Sequence, residues 1–224
     1  MAIKVSAEKL LEVGAHFGHQ RRRWNPKMEE YMHDTVDNVF VFDLIQTRDR
    51  LEEALSFLQK SKAEGKKILL VATKKQIKDR VKDLADKTGI YYVDERWLGG
   101  TLTNFKQIRK SIEKLWALEE EHKNAKALGY TKKERLDLSR DIEKLHRKFG
   151  GILQMEEIPD VLVVVDTHRE TSAVKEAKML EIPVVGIVDS NADPEPIDYV
   201  IPMNDDATAT LEYFIDLLED TLSK

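Results

Sequence analysis

The chain has 224 residues, enough to bury a core of its own, and 42% of them are hydrophobic, which excludes a disordered composition. It contains no cysteine, which rules out disulfides and thiolate metal sites. No apolar run suits a signal peptide or a membrane span, so a cytosolic protein is expected. The net charge of −5 argues against a polyanionic partner until its distribution is read. Residues 1–150 carry 32 Lys+Arg against 24 Asp+Glu, whereas residues 151–224 carry 4 against 17. A net of +8 followed by −13 suggests one basic face for a polyanion and one acidic face for something else.

Ser6 to Val13 reads as a short helix, with Leu10 and Leu11 on one face and Gly14 as its stop. Residues 15–30 have no period and are expected to form a loop. Tyr31–His33 and Val39–Asp43 read as strands around a polar turn at Asp34–Asn38. Arg48 to Ala63 predicts a helix, since Leu51, Ala54, Leu55 and Leu58 recur at i, i+3, i+4 and i+7. A βα alternation follows. Ile68–Ala72 is an apolar run suited to a strand buried on both faces, and Ile77, Val81, Leu84 and Ala85 mark a helix ending near Gly89. Ile90–Val93 is a weaker strand. The unit repeats as Val161–Val165, a helix through Val174, Ala177 and Leu180, and Val184–Val188. Tyr199–Ile201 and a helix through Leu211, Phe214, Ile215 and Leu218 close the chain. This order predicts an α/β fold with a doubly wound, mostly parallel sheet.

Thr103 to Phe149 breaks the alternation. Phe105, Ile108, Ile112 and Leu115 step by 3, 4, 3, and Leu138, Ile142, Leu145 and Phe149 by 4, 3, 4, which are coiled-coil intervals. Thr131 and Glu134 form a capping box that restarts the second helix. Residues 1–102 and 150–224 are therefore expected to form the α/β domain. Residues 103–149 form an inserted antiparallel helical hairpin.

The chain lacks Gly-x-Gly-x-x-Gly, a Walker-type phosphate loop, a serine nucleophile elbow and His-Glu-x-x-His. A stronger signal is the loop Arg21, Arg22, Arg23, Trp24, Asn25, Pro26 and Lys27. Its four cations and one indole can contact phosphates and stack on a base. Pro26 stiffens the loop and keeps Asn25 out of helix. Lys74 and Lys75 follow one strand and Arg96 the next, so all three should reach the same sheet edge. Arg96-Trp97-Leu98-Gly99-Gly100, with Thr103 and Asn104, looks like a backbone built for close approach by something large and polar. On the hairpin, Lys106, Arg109, Lys110 and Lys114, then Arg140, Lys144 and Arg147, line outer faces that could lie along a phosphate backbone.

His16-Phe17-Gly18-His19, Arg23 to Met28, Arg96 to Gly100 with Leu102-Thr103-Asn104, Ile182-Pro183, and Ile201-Pro202 with Asn204-Asp205-Asp206 together resemble the bacterial small-subunit ribosomal protein S2 family, over nearly the whole chain. The resemblance implies a flavodoxin-like α/β domain with an inserted coiled-coil hairpin, and binding rather than catalysis. It implies cytoplasmic ribosomal partners: small-subunit rRNA, neighbouring small-subunit proteins, and the mRNA-binding protein S1, which such proteins help to dock. Arg21 to Lys27 and Arg96 to Asn104 become rRNA-facing segments, with Lys74, Lys75 and the hairpin cations in support. The sequence departs from relatives at Met203, where glycine is frequent, and stops soon after its last helix, without the polar tail of some relatives.

Asp189 ends a strand, and Asp205 and Asp206 fall at the same edge. With His19 from the first loop, His19, Asp189 and Asp205 could hold a structural zinc, no other cofactor being expected. The mundane alternative is an Asp206 helix cap and a His19–Asp189 hydrogen bond. Two other function classes remain: a flavodoxin-like enzyme using Asp166, His168 and Asp189 on a phosphate ligand, and an adaptor whose hairpin binds protein alone.

Overall fold

The computed structural model describes residues 4–223; residues 1–3 and 224, the outer ends of the two expected domain segments, lie outside it. Ser6 caps α1 (Ala7–Glu12) by accepting the Lys9 N–H, and Gly14 ends the turn at a positive φ of 77°. The expected loop at 15–30 is instead partly a strand. β1 (Phe17–Gln20) pairs antiparallel with β3 (Val39–Phe42), and short 3-10 helices follow over Arg21–Arg23 and Pro26–Tyr31. β1 is specified by pairing with distant residues, which leaves no local period. β2 (Met32–Val36) also pairs with β3, and Asp37 and Asn38, both at positive φ, form a turn tighter than expected. α2 (Leu44–Ala63) starts four residues before Arg48 because the Asp43 carboxylate accepts the Ile45 and Gln46 N–H groups.

The main sheet comprises β4 (Ile68–Val71), β5 (Tyr91–Val93), β6 (Val161–Val164), β7 (Val184–Val188) and β8 (Tyr199–Pro202). All are parallel and lie in the order β5-β4-β6-β7-β8, the 2-1-3-4-5 order of flavodoxin-like folds. α3 (Lys78–Thr88), α6 (Thr171–Met179) and α7 (Thr208–Leu222) connect or follow these strands. Ile68, Leu70, Val161 and Val163 pack on one face with Leu51, Leu55, Val81, Phe214 and Leu218. Leu69, Val71, Leu162 and Val164 pack on the other with Ala173, Val174 and Ala177 of α6. Burial on both faces explains the uninterrupted apolar runs, each such side chain contributing about 1.5–3 kcal/mol.

α4 (Phe105–Asn124) and α5 (Lys132–Phe149) pack on each other, and the Thr131–Glu134 capping box opens α5. Ile108 and Ile112 of α4 and Phe149 of α5 join the cluster of Leu69 and Val71. The start of α4 and the end of α5 are thus continuous with the sheet's core. Farther out, Leu138, Ile142 and Leu145 are half-buried and Leu136 is exposed. That seam is wetter than the heptad intervals suggest.

A close approach seats β1 on the main sheet. A Cβ at Gly18 would lie 2.9 Å from Ser190 Oγ and 3.2 Å from the Phe40 carbonyl oxygen. Gly18→Ala should lower the free energy of unfolding by about 2 kcal/mol. An unchanged urea midpoint would show that β1 is not held this closely.

Candidate nucleic-acid interface

Parallel strands end at one edge, and here that edge gathers residues far apart in sequence. Lys74 and Lys75 follow β4, Arg96 follows β5, Asp166 follows β6, Asp189 follows β7, and Asp205 and Asp206 follow β8. The turn after β1 is tied to the same edge. The Asn25 N–H donates to the Ser190 carbonyl at 2.7 Å, and the His19 N–H to Ser190 Oγ at 2.6 Å. Arg23 helps lower the Asp206 carboxyl, whose largest influence is the Lys74 hydrogen bond, and Arg96 is among the cations acting on Glu170. β5 and β7 stand three strand spacings apart, about 14 Å.

Arg21, Arg22, Arg23 and Arg96 are exposed, and among the described residues none has a carboxylate within 4 Å. Lys75 is exposed too. Trp24 is half-buried, its ring tilted over Phe40 with centroids 4.6 Å apart. Asn25 accepts the Lys27 N–H through its side chain, and Lys27 is paired with Asp193 at 2.9 Å and Glu195 at 2.6 Å. Lys27 therefore helps to pin the turn to the β7–β8 loop and is less available to phosphate than its position in the basic run suggests.

Lys74 requires a correction. It is 5% exposed, and its ammonium meets Asp166 at 3.2 Å and Asp205 and Asp206 at 2.8 Å each. It also donates to the Asp205 carbonyl. Burial alone would lower its pKa, but the Asp205 and Asp206 hydrogen bonds and the carboxylate charges raise it. A buried, charge-neutralised ammonium is a strut across the edge, not the exposed cation expected from its sequence position. Burial, then the Asp189 and Asp166 charges, pushes the Asp205 carboxyl up to about 7.

The expected zinc site is likewise unsupported. Among the described residues no group of three or more His, Asp or Glu side chains is placed to hold an ion. His19 Nδ1 lies 2.9 Å from Asp189 Oδ1, Asp189 Oδ2 accepts the Asp205 N–H at 3.1 Å, and Asp205 turns to Lys74. The mundane His19–Asp189 hydrogen bond is present, and its donation is the main cause raising the His19 pKa. The Asp206 helix cap is not, since α7 begins without a side-chain cap. The enzyme alternative also loses its geometry. The crevice between β4 and β6, where such sheets bind ligands, is bridged by Lys74 and Asp166. Among the described residues no hydrogen bond joins His168 to Asp166 or Asp189.

The Arg96–Asn104 segment is organised by a residue that the sequence reading missed. Glu176, on α6, is 8% exposed, and its carboxylate accepts five hydrogen bonds. The donors are the Trp97 indole at 2.9 Å, the N–H groups of Gly100, Leu102 and Thr103 at 2.8, 3.0 and 3.1 Å, and the Thr103 hydroxyl at 3.0 Å. Trp97, expected on an RNA-facing surface, is 6% exposed and serves as an anchor, and the Thr103 hydroxyl is tied down in the same way. Gly100 adopts φ 87°, where a Cβ would lie 3.1 Å from that of Asn104. Gly99 has no such requirement. It is exposed, and a Cβ there would meet nothing within 4 Å, so its bare backbone faces outward beside Arg96 and the exposed Asn104. Glu176 did leave a trace: with Ala173, Val174 and Ala177 it falls in the buried stripe of its helix, where a lone carboxylate needs donors.

On the hairpin, Lys106 and Lys110 are exposed. Arg109 is partly engaged, donating to the Met155 carbonyl at 3.2 Å and lying 5.4 Å from the Trp116 ring centroid. Arg140 and Lys144 are shared with Asp137 at 3.5 Å and Asp141 at 2.9 Å.

Burial opposes ionisation of Glu176, but the Trp97 hydrogen bond and the backbone donors of Thr103, Gly100 and Leu102 outweigh it and lower its pKa. The clasp therefore stabilises the fold above the ordinary glutamate range and is lost as pH falls through the depressed folded value. Glu176→Gln should cost about 3 kcal/mol at neutral pH. It should also flatten the decline of stability below about pH 4.5. Equal urea midpoints for the two proteins at pH 7 would contradict the clasp.

Residues 10–224 match the family described as ribosomal protein S2. The chain is 49% identical over 213 residues to the small ribosomal subunit protein uS2 of Azorhizobium caulinodans, covering 95% of this chain and 64% of that protein. It is 47% identical over 213 residues to uS2 of Brucella anthropi, covering 95% and 83% of the two chains. It is 47% identical over 209 residues to uS2 of Bartonella henselae, covering 93% and 81%. The chain belongs to the ribosomal protein S2 family, a family of structural ribosomal proteins and not of enzymes.

Proposed function

We propose that this chain is a structural constituent of the small ribosomal subunit, working in the cytoplasm on the ribosome, and that the carboxyl edge of its sheet binds small-subunit rRNA. The observation that carries this reading is the set of four exposed arginines, Arg21, Arg22, Arg23 and Arg96, none with a carboxylate within 4 Å among the described residues, on two segments fixed to one edge. Cations held in place lose little freedom when they meet phosphates, and released counterions drive the association. Lys75, Gly99, Asn104, Lys106 and Lys110 extend that surface, and the distal hairpin acts as an arm along it. Trp97 and Lys74 act from inside and the exposed Thr103 through its bonds to Glu176, holding the segments at fixed angles. The acidic residues 151–224 face neighbouring small-subunit proteins, among which S1 docks with the help of this surface.

Replacing Arg21, Arg22 and Arg23 together with alanine should weaken association of the full chain with small-subunit rRNA. The slope of log affinity against log salt should fall by roughly 0.7–0.9 for each phosphate that is no longer neutralised, about two to three units in all. A slope equal to that of the unaltered chain would contradict the assignment of these arginines.

A further inference from the structure

Beside the arginine turn lies a cavity of about 360 Å³ that phosphate binding does not explain. Trp24, whose ring tilts over Phe40, lines it with Met32, as do Arg21, His33 and Thr35 and the carboxylates of Glu29 and Asp34. The register of β2 on β3 shifts between Met32 and Asp34, a bulge of the kind that re-aims side chains beside a site. Arg21 is held there by its N–H bond to the Asn38 carbonyl at 2.9 Å. Among the described residues Glu29 has no cation within 4 Å, and Asp34 accepts only the neighbouring Thr35 N–H, at 2.7 Å.

Two carboxylates without cations are out of place beside a phosphate-binding turn, unless they meet donors rather than phosphates. A carboxylate accepts only, and it presents two oxygens side by side. Among the four bases, guanine alone offers two adjacent donors, N1–H and N2–H, on its Watson–Crick edge. Adenine and cytosine pair one donor with an acceptor that a carboxylate repels, and uracil flanks its single donor with two carbonyls. Unstacked bases of folded RNA are held by an aromatic wall and read along that edge.

We propose that this cavity receives a single unstacked guanine of the rRNA. Trp24 and Met32 sandwich the base, Glu29 or Asp34 accepts from N1–H and N2–H, and Arg21 takes the adjoining phosphate. The proposal rests on the rRNA-binding reading and adds a base preference to it.

The test uses the full chain with 5-fluorotryptophan at its three tryptophans, the Trp24 resonance being assigned through Trp24→Phe. The chain is titrated with the oligoribonucleotides UUGUU, UUAUU, UUCUU and UUUUU. The Trp24 resonance should respond to UUGUU at concentrations about tenfold lower than to the other three. Glu29→Gln or Asp34→Asn should reduce that preference below about twofold, while retention on small-subunit rRNA, carried by the arginines, changes little. Four equal responses, a silent Trp24, or a preference surviving both substitutions would overturn the proposal. A Trp24 resonance that answers to neighbouring small-subunit proteins and not to RNA would overturn it as well. Retention of the unaltered chain on rRNA is scored separately. Retention with a silent Trp24 sinks the pocket alone, whereas a guanine response without retention sinks the rRNA-binding reading, and with it the rRNA as the source of the guanine.

Discussion

A single buried ammonium holds together the edge on which everything else is displayed. Lys74 leaves the end of β4 and meets carboxylates that follow β6 and β8. Without it, Asp166, Asp205 and Asp206 would repel one another at the point where parallel strands bring their ends together. Breaking such a buried pair by removing one partner costs about 3–5 kcal/mol, because the remaining charge stays buried. Through Asp205 the arrangement extends to Asp189, then to His19 and the turn that follows it. The charges inside the edge thus neutralise one another, and those outside it stay open to a partner.

The Glu176 carboxylate does for the second segment what Lys74 does for the first. It gathers three backbone N–H groups and two side-chain donors from a seven-residue stretch, and it sits on a helix packed against the sheet. That stretch leads directly into α4, so the same clasp fixes the start of the hairpin. The two clasps have opposite charge and equivalent effect. Each immobilises a loop whose ordering would otherwise have to accompany the meeting with a partner and weaken it.

Much of the fold was legible because its signals are periodic. The runs at 68–72, 161–165 and 184–188 suit strands buried between two layers, and the stripes of α2, α3 and α7 marked the helices, but which layer each helix joins is shown by packing alone. β1 was not legible, because four residues containing a glycine carry no period and their partner lies beyond a turn and another strand. At the site, sequence placed Lys74, Lys75 and Arg96 at one shared edge, where the structure has them, but could not separate those that face out from those that face in. Lys74 and Lys75 are adjacent and identical in kind, yet one is buried among carboxylates and the other is exposed. Trp97 next to Arg96 suggested a base-stacking platform, and only the distant Glu176 shows the indole to be an anchor. The zinc expectation erred for a related reason. Sequence showed carboxylates and a histidine converging, but not the lysine that converges with them.

The absence of cysteine gives the most direct access to the central claim, because a single introduced thiol can carry a tethered iron chelate that cleaves nearby RNA. Such probes at Arg22→Cys and Gly99→Cys lie on the two clasped segments, and one at Lys60→Cys lies near the end of α2, at the opposite edge of the sheet. With the chain assembled on small-subunit rRNA, cleavage from positions 22 and 99 at RNA sites close together in the folded subunit, and none from position 60, is the predicted result. Cleavage from position 60 with silence from 22 and 99 would contradict the account.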